Sequence, residues 1–295
     1  MSIYIKMEKI LIIGAGEIGS ALGRILRTNN LVEFWDKDKT KIYNSKNLNE
    51  SVLWANIVFL CVPAFALSEI LKNLSLNLKN KILICLSKGV DPKTKELPNE
   101  ILEKYTLNYG LLYGPMIAEE LNKNLDGFAI LAVKKDAVFN STKKIFYKTQ
   151  IKIKKSNNTC AVALCGILKN IYALGLGMIE AQKLGINLKG KYVVEAIKEM
   201  KEIINKFCGK NNLIFEVCGL GDLIATGFNP NSANYTIGQK LAKKQKIIQK
   251  SEGIIALPVI FQKIKSQKIK APLLENIYKI SFKNLKPSKI LENID

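Results

Sequence analysis

The stretch "KILIIGAGEIG" (9–19) constrains the fold of this chain more than any other. Its apolar start reads as a strand buried on both faces, as in a parallel sheet. Gly14, Gly16 and Gly19 follow at once, and Glu17–Asn29 carries the pattern of a helix. A strand that turns through glycines straight into a helix makes an anion site. The first glycine permits the tight turn, the second lets a pyrophosphate approach the backbone, and the third allows close helix–strand packing. The helix amino terminus then faces the phosphates. The next expected strand, "LVEFWD" (31–36), closes on Asp36, 22 residues beyond Gly14. A carboxylate there accepts hydrogen bonds from adenosine ribose hydroxyls and repels a 2′-phosphate. The expected cofactor is NAD or NADP, with NAD favoured by Asp36 although Lys37 beside it pulls the other way. Gly14, Gly16, Glu17, Ile18, Gly19 and Asp36 are the candidate cofactor residues of this half.

Apolar runs at 55–63, 81–89, 108–115 and 127–133 read as further strands, with helical stretches between most of them. That alternation implies the α/β class, with a Rossmann-like, doubly wound, mainly parallel sheet. Around Lys154–Asn158 the character changes. From Thr159 onward the periodicity is helical, broken by glycine-rich turns at 185–190, 219–221 and 227–234, so an all-α C-terminal domain is expected. The expected division is 1–155 for dinucleotide binding and 156–295 for a helical substrate and catalytic domain.

A formal net charge of +20 would fit a nucleic-acid binder, but Arg24 and Arg27 are the only arginines and the lysines are spread along the whole chain. Base readout and phosphate clamping lean on the guanidinium fork. The charge therefore reads as a solvated lysine surface that favours small acidic substrates, with no nucleic-acid partner. Cysteines 61, 85, 160, 165, 208 and 218 form no C-x-x-C pair, and the chain has no histidine to complete a zinc site. The expectation is no metal, and reduced core thiols in a cytoplasmic protein. "ILIIGAG" is too short for a signal peptide. The segment Cys160–Ile179 is nearly long enough to span a bilayer, but Lys169 and Asn170 lie at its middle, so no integral membrane segment is expected.

Lys169 is the only formal charge between Lys155 and Glu180, set in "CGILKNIYALGLG" (165–177). Reducing a ketone places negative charge on its oxygen as hydride reaches carbon, so a proton donor must sit within hydrogen-bond reach. In a chain without histidine, a desolvated lysine whose pKa falls toward neutrality can take that part. On a helix, Lys169 shares its face with Cys165, Gly166, Tyr172 and Ala173, two of them small enough to leave room for a substrate. Asp222, in a glycine-flanked turn, could orient the ammonium. The alternative is a core-helix lysine that snorkels to solvent.

Taken in chain order, "FLCVPAFALSEIL" (59–71), "SKG" (87–89), "YGPMIAEEL" (113–121), "CGILKN" (165–170), "GLGDLIATG" (219–227) and "SEG" (251–253) add a second line of reading. Together they resemble the NAD(P)-dependent glycerol-3-phosphate dehydrogenases of the bacterial type, over about residues 8 to 260. The resemblance implies reversible hydride transfer between a nicotinamide and C2 of dihydroxyacetone phosphate or sn-glycerol 3-phosphate, feeding phospholipid synthesis. It places Lys169 as the catalytic lysine and Lys88 as a second active-site lysine, with Asp222 and Thr226 matching residues that hold the catalytic lysine and line the substrate pocket. Asn170 and Thr226 fall on substrate contacts, and Pro63, Phe65 and Glu252 on cofactor contacts.

The family's phosphate-gripping arginine is missing. Ala233 stands in its place in "NPNSANYTIG" (229–238), with Asn234 kept and no arginine anywhere in the second half. Ser232, Asn234 and a nearby lysine are then the candidates for the phosphate. Two alternatives stay open at this point: a reductase of another small 2-oxo or 2-hydroxy compound, and a dinucleotide-binding sensor without turnover. The helical half is the expected surface for a homodimer.

Overall fold

The computed structural model describes residues 7–42, 46–74, 78, 80–248 and 250–294. The chain divides into two compact units, Met1–Ser87 with Pro98–Thr159, and Lys88–Leu97 with Cys160–Asp295. The short segment Lys88–Leu97, which interrupts the first unit in sequence, belongs to the second.

The first unit is built on β1 (Lys9–Ile13), β2 (Leu31–Trp35), β3 (Ile57–Leu60), β4 (Ile82–Cys85), β5 (Tyr109–Tyr113), β6 (Gly127–Val133) and β7 (Ile151–Ser156). They form one sheet in the order β2-β1-β3-β4-β5-β6-β7, parallel throughout except between β5 and β6. Helices α1 (Glu17–Leu26), α2 (Leu48–Trp54), α3 (Ala64–Leu74), α4 (Pro98–Glu103), α5 (Ala118–Asn122) and α6 (Asp136–Ile145) connect the strands. Ile10–Ile13 and Ile57–Leu60 are buried on both faces, which is why those runs carry no alternation. The chain leaves β1 toward β2 on one side and toward β3 on the other. The loop after β1 therefore sits at a topological switch point, where open α/β sheets form a ligand crevice.

The seventh strand lies where the sequence reading places only a change of character. Its "IKIKKS" pairs with β6 alone, as the sheet's edge. Most of its side chains stand half-buried or exposed, so the hydrophobic signal is weak. Edge lysines also discourage further strand pairing, which gives this polar pattern a physical reason.

The second unit holds α7 (Thr159–Ala181), α8 (Gly185–Cys208), α9 (Asp222–Gly227), α10 (Ala233–Ala242), α11 (Glu252–Ser266) and α12 (Pro272–Phe282). The turn expected at 185–190 is instead the opening of α8, where Gly185 alone takes a left-handed conformation, φ 84°. Helix α7 is long and apolar enough to cross a membrane by length and composition, yet its apolar window is wholly buried. Glu199 on α8 accepts the Tyr172 hydroxyl from α7 at 2.7 Å and the Leu273 and Leu274 N–H groups at the start of α12. A buried carboxylate thus satisfies a helix amino terminus and fixes the tyrosine one turn beyond Lys169.

One cysteine expectation is overturned. Cys160 and Cys208 form a disulfide with a Cα–Cα separation of 5.6 Å, while Cys61, Cys85, Cys165 and Cys218 are free thiols. Helices α7 and α8, joined only by residues 182–184, run back along each other, which brings the start of one to the end of the other. No local spacing signals such a pair, because tertiary packing creates it. The bridge closes a loop of sequence separation 48, and such cross-links stabilise by roughly 2–4 kcal/mol. A reductant should therefore lower the wild-type Tm by several degrees. The Cys160→Ala/Cys208→Ala protein should already melt lower and not respond, and equal sensitivity of the two proteins would refute the bridge.

Candidate active site

The glycine loop follows directly from its local geometry. Gly14 has φ 101°, and a Cβ there would lie 2.5 Å from the Cys61 carbonyl oxygen. A Cβ on Gly19 would lie 2.0 Å from the Gly14 carbonyl oxygen, so α1 packs onto the loop only because that side chain is absent. Gly16 differs, since nothing lies within 4 Å of its Cβ position and the residue is exposed. No side chain caps α1, which begins at Glu17 and runs on through Ile18. An open backbone surface at an uncapped helix start is what a pyrophosphate requires, so these residues fit a dinucleotide. Asp36 follows β2, and its carboxylate accepts the Ala15 N–H at 2.7 Å and the Asp38 N–H at 2.9 Å. Each oxygen keeps acceptor capacity for a ribose hydroxyl. Pro63 and Phe65 stand exposed at the turn from β3 into α3.

In the second unit, Lys169, Asp222, Lys88 and Thr226 form one hydrogen-bonded group. Asp222 Oδ2 receives the Lys88 ammonium at 2.6 Å, and Oδ1 lies 3.2 Å from Lys169 Nζ. Lys169 also donates to Thr226 Oγ1 at 2.6 Å, and that hydroxyl donates to Asp222 Oδ1 at 3.3 Å. Thr226 is one helical turn beyond Asp222 on α9, so a single helix face presents both. A π-helical turn, Val217–Gly221, leads into α9 in place of the expected open turn, a local irregularity common at functional sites.

The lysine does not snorkel, for its side chain is only 8% exposed. Burial pulls its ammonium down, Asp222 pulls it back, and repulsion from Lys88 lowers it again, to about 8. Burial pushes Asp222 up, but the two ammonium groups outweigh it and hold the carboxyl below the usual range. Two cations share one anion here, so the buried group carries a net positive charge while Lys169 is protonated.

Asn170 and Asn234 form a second group. Asn234 Nδ2 donates to Asn170 Oδ1 at 2.9 Å, and Asn170 Nδ2 donates to the Lys88 carbonyl at 2.7 Å. Asn234 Oδ1 accepts the Gly253 N–H at 3.0 Å, a contact that nothing in the local sequence around Gly253 signals. Ser232 caps α10, its Oγ accepting the Tyr235 N–H at 3.5 Å, and Ala233 is exposed as the first residue of that helix. Glu252 is half-buried at the start of α11. The hydroxyl of Ser251 before it is buried with no hydrogen-bond partner among the described residues. Among those residues no group of His, Cys, Asp and Glu side chains could hold a metal.

The family described as NAD-dependent glycerol-3-phosphate dehydrogenase C-terminus matches residues 158–292, and its N-terminus counterpart matches residues 37–138. A glycerol-3-phosphate dehydrogenase [NAD(P)+] of Phytoplasma mali is 28% identical over 97% of this chain and 96% of its own. One from Azotobacter vinelandii is 26% identical over 98% and 94%. The crystal structure of glycerol-3-phosphate dehydrogenase from Coxiella burnetii superimposes with a TM-score of 0.88 at 23% identity, covering 98% of each chain. With both domain families matched in order along one chain, this protein belongs to the NAD-dependent glycerol-3-phosphate dehydrogenase family.

Proposed function

We propose that this protein is an NAD(P)-dependent sn-glycerol-3-phosphate dehydrogenase that interconverts dihydroxyacetone phosphate and glycerol 3-phosphate for phospholipid synthesis. The observation that carries the reading is the buried Lys169 ammonium, held by Thr226 and Asp222 and brought near neutrality. A nicotinamide dinucleotide, when bound, supplies or accepts the hydride. An ammonium has three donors, and two of those on Lys169 are taken by Thr226 and Asp222. The third is the donor for the ketone oxygen, and its proton passes to that oxygen as charge develops there. In the oxidative direction the neutral amine takes the proton from the alcohol. The net positive charge of the Lys88–Asp222–Lys169 group draws an anionic substrate.

For the phosphate, Ser232, Asn234 and the α10 amino terminus supply polar contacts where Ala233 offers none. Asp36 favours NAD. Exposed Ile186 and Val194 on α8 give a homodimer a surface. The test is NADH oxidation with dihydroxyacetone phosphate beside unphosphorylated dihydroxyacetone. Strong preference for the phosphorylated ketone is expected. Equal rates would overturn the phosphate-ester reading, and no turnover with any ketone would point to a dinucleotide sensor.

A further inference from the structure

One line of amide hydrogen bonds crosses four segments of the second unit. The Gly253 N–H on α11 donates to Asn234 on α10, Asn234 donates to Asn170 on α7, and Asn170 donates to the carbonyl of Lys88. Every link runs donor to acceptor in the same direction, so each bond polarises the next. Both asparagines are buried, and the line ends on the backbone of the residue whose ammonium holds Asp222. Gly253 is where it can be broken with one methyl group. A Cβ there would meet the Asn170 carbonyl oxygen at 2.4 Å and Asn234 Oδ1 at 2.6 Å. The first of these is helix backbone and cannot swing aside.

We propose that Gly253, acting through Asn234 and Asn170, is a positioning residue that holds the Lys88 backbone where its ammonium meets Asp222. The consequence reaches Lys169 through charge. The charged groups that act on Lys169 are Asp222 on α9 and Lys88 on the segment 88–97. If Lys88 withdraws, a like charge leaves the neighbourhood and Asp222 is left to Lys169 alone. Both changes favour the ammonium, so Lys169 binds its proton more tightly. A residue that merely filled space would cost stability and leave that proton affinity unchanged.

The kinetic arm of the test rests on the dehydrogenase reading, and a second arm does not. In full-length Gly253→Ala and Asn234→Ala, the fall of kcat/KM for ketone reduction at high pH should move upward by about half a unit or more. Activity at neutral pH should drop about tenfold, the size of a lost positioning contact. The second arm is 13C NMR of labelled lysine Cε without substrate, with the Lys169 signal assigned by its absence in Lys169→Met. Its titration should move upward by the same amount in both variants. A folded variant in which Lys169 titrates as in the wild type overturns the proposal, and Asn234→Ala decides it if Gly253→Ala does not fold. If the wild type fails to reduce dihydroxyacetone phosphate, the functional reading falls while the NMR titration still decides this one.

Discussion

Lys169→Ala is expected to lower kcat for ketone reduction by roughly a hundred- to ten-thousandfold, the range for losing a general acid, while NADH still binds. In the proposed mechanism the ammonium gives a proton to the developing alkoxide, and nothing near it replaces that role. Lys88 is committed to Asp222 Oδ2, and Thr226 and Asp222 face Lys169 rather than offering an acid of suitable strength. The glycine loop and Asp36 belong to the other unit, so nucleotide affinity, read by fluorescence titration with NADH, should stay within a few-fold of wild type. Equal loss of nucleotide binding would show that Lys169 holds the fold rather than the reaction.

The pH dependence carries the same assignment with a definite sign. Reduction needs the ammonium, so its kcat/KM should fall as pH rises through about 8. Oxidation needs the neutral amine and should rise through the same value. Two limbs moving in the same direction would exclude Lys169 as the shared acid and base.

The difference between what the sequence makes legible and what it hides is physical. Gly14 and Gly19 are legible because backbone geometry forces glycine there, and Gly16 and Asp36 because a pyrophosphate needs open backbone and a ribose needs an acceptor at that spacing. Lys169 is legible because a charge inside an apolar helix is expensive and so calls for partners. The partners themselves lie on other elements: a glycine-flanked turn and the family resemblance single out Asp222, but only the fold shows the hydrogen bond from Lys169 to Thr226. Strand β7 escaped because an edge strand needs few apolar residues. The Cys160–Cys208 bridge and the amide line through Gly253 escaped because both depend on which helices lie side by side, which periodicity does not record.

Asp222→Ala should produce the largest loss of stability of any single change at the site. The carboxylate is buried between two ammonium groups at 2.6 and 3.2 Å. Removing one partner of a buried ion pair costs about 3–5 kcal/mol, because the remaining charge is left without compensation. Here two like charges remain, and a Tm fall on the order of 10 °C follows for a chain of this size. The variant has one escape: Lys169 can lose its proton, and without Asp222 it should do so below the wild-type value of about 8. The deficit should therefore be greatest near pH 6 and shrink as pH rises. On the acid side the sign comes from Asp222 itself. Its carboxyl is held below the ordinary range in the folded protein, so its contribution is present above that range and is lost as pH falls through the folded value. The deficit should therefore shrink in acid as well as in alkali. Asp222 is also the first residue of α9, and a first-turn carboxylate stabilises a helix amino terminus by its charge alone. That role would give a smaller deficit, at most about 1–2 kcal/mol, and no dependence on pH above 6. Thermal melts of both proteins from pH 3 to pH 10 separate the two, and a flat difference from pH 6 to pH 10 would mean that the ion pair is not what Asp222 provides.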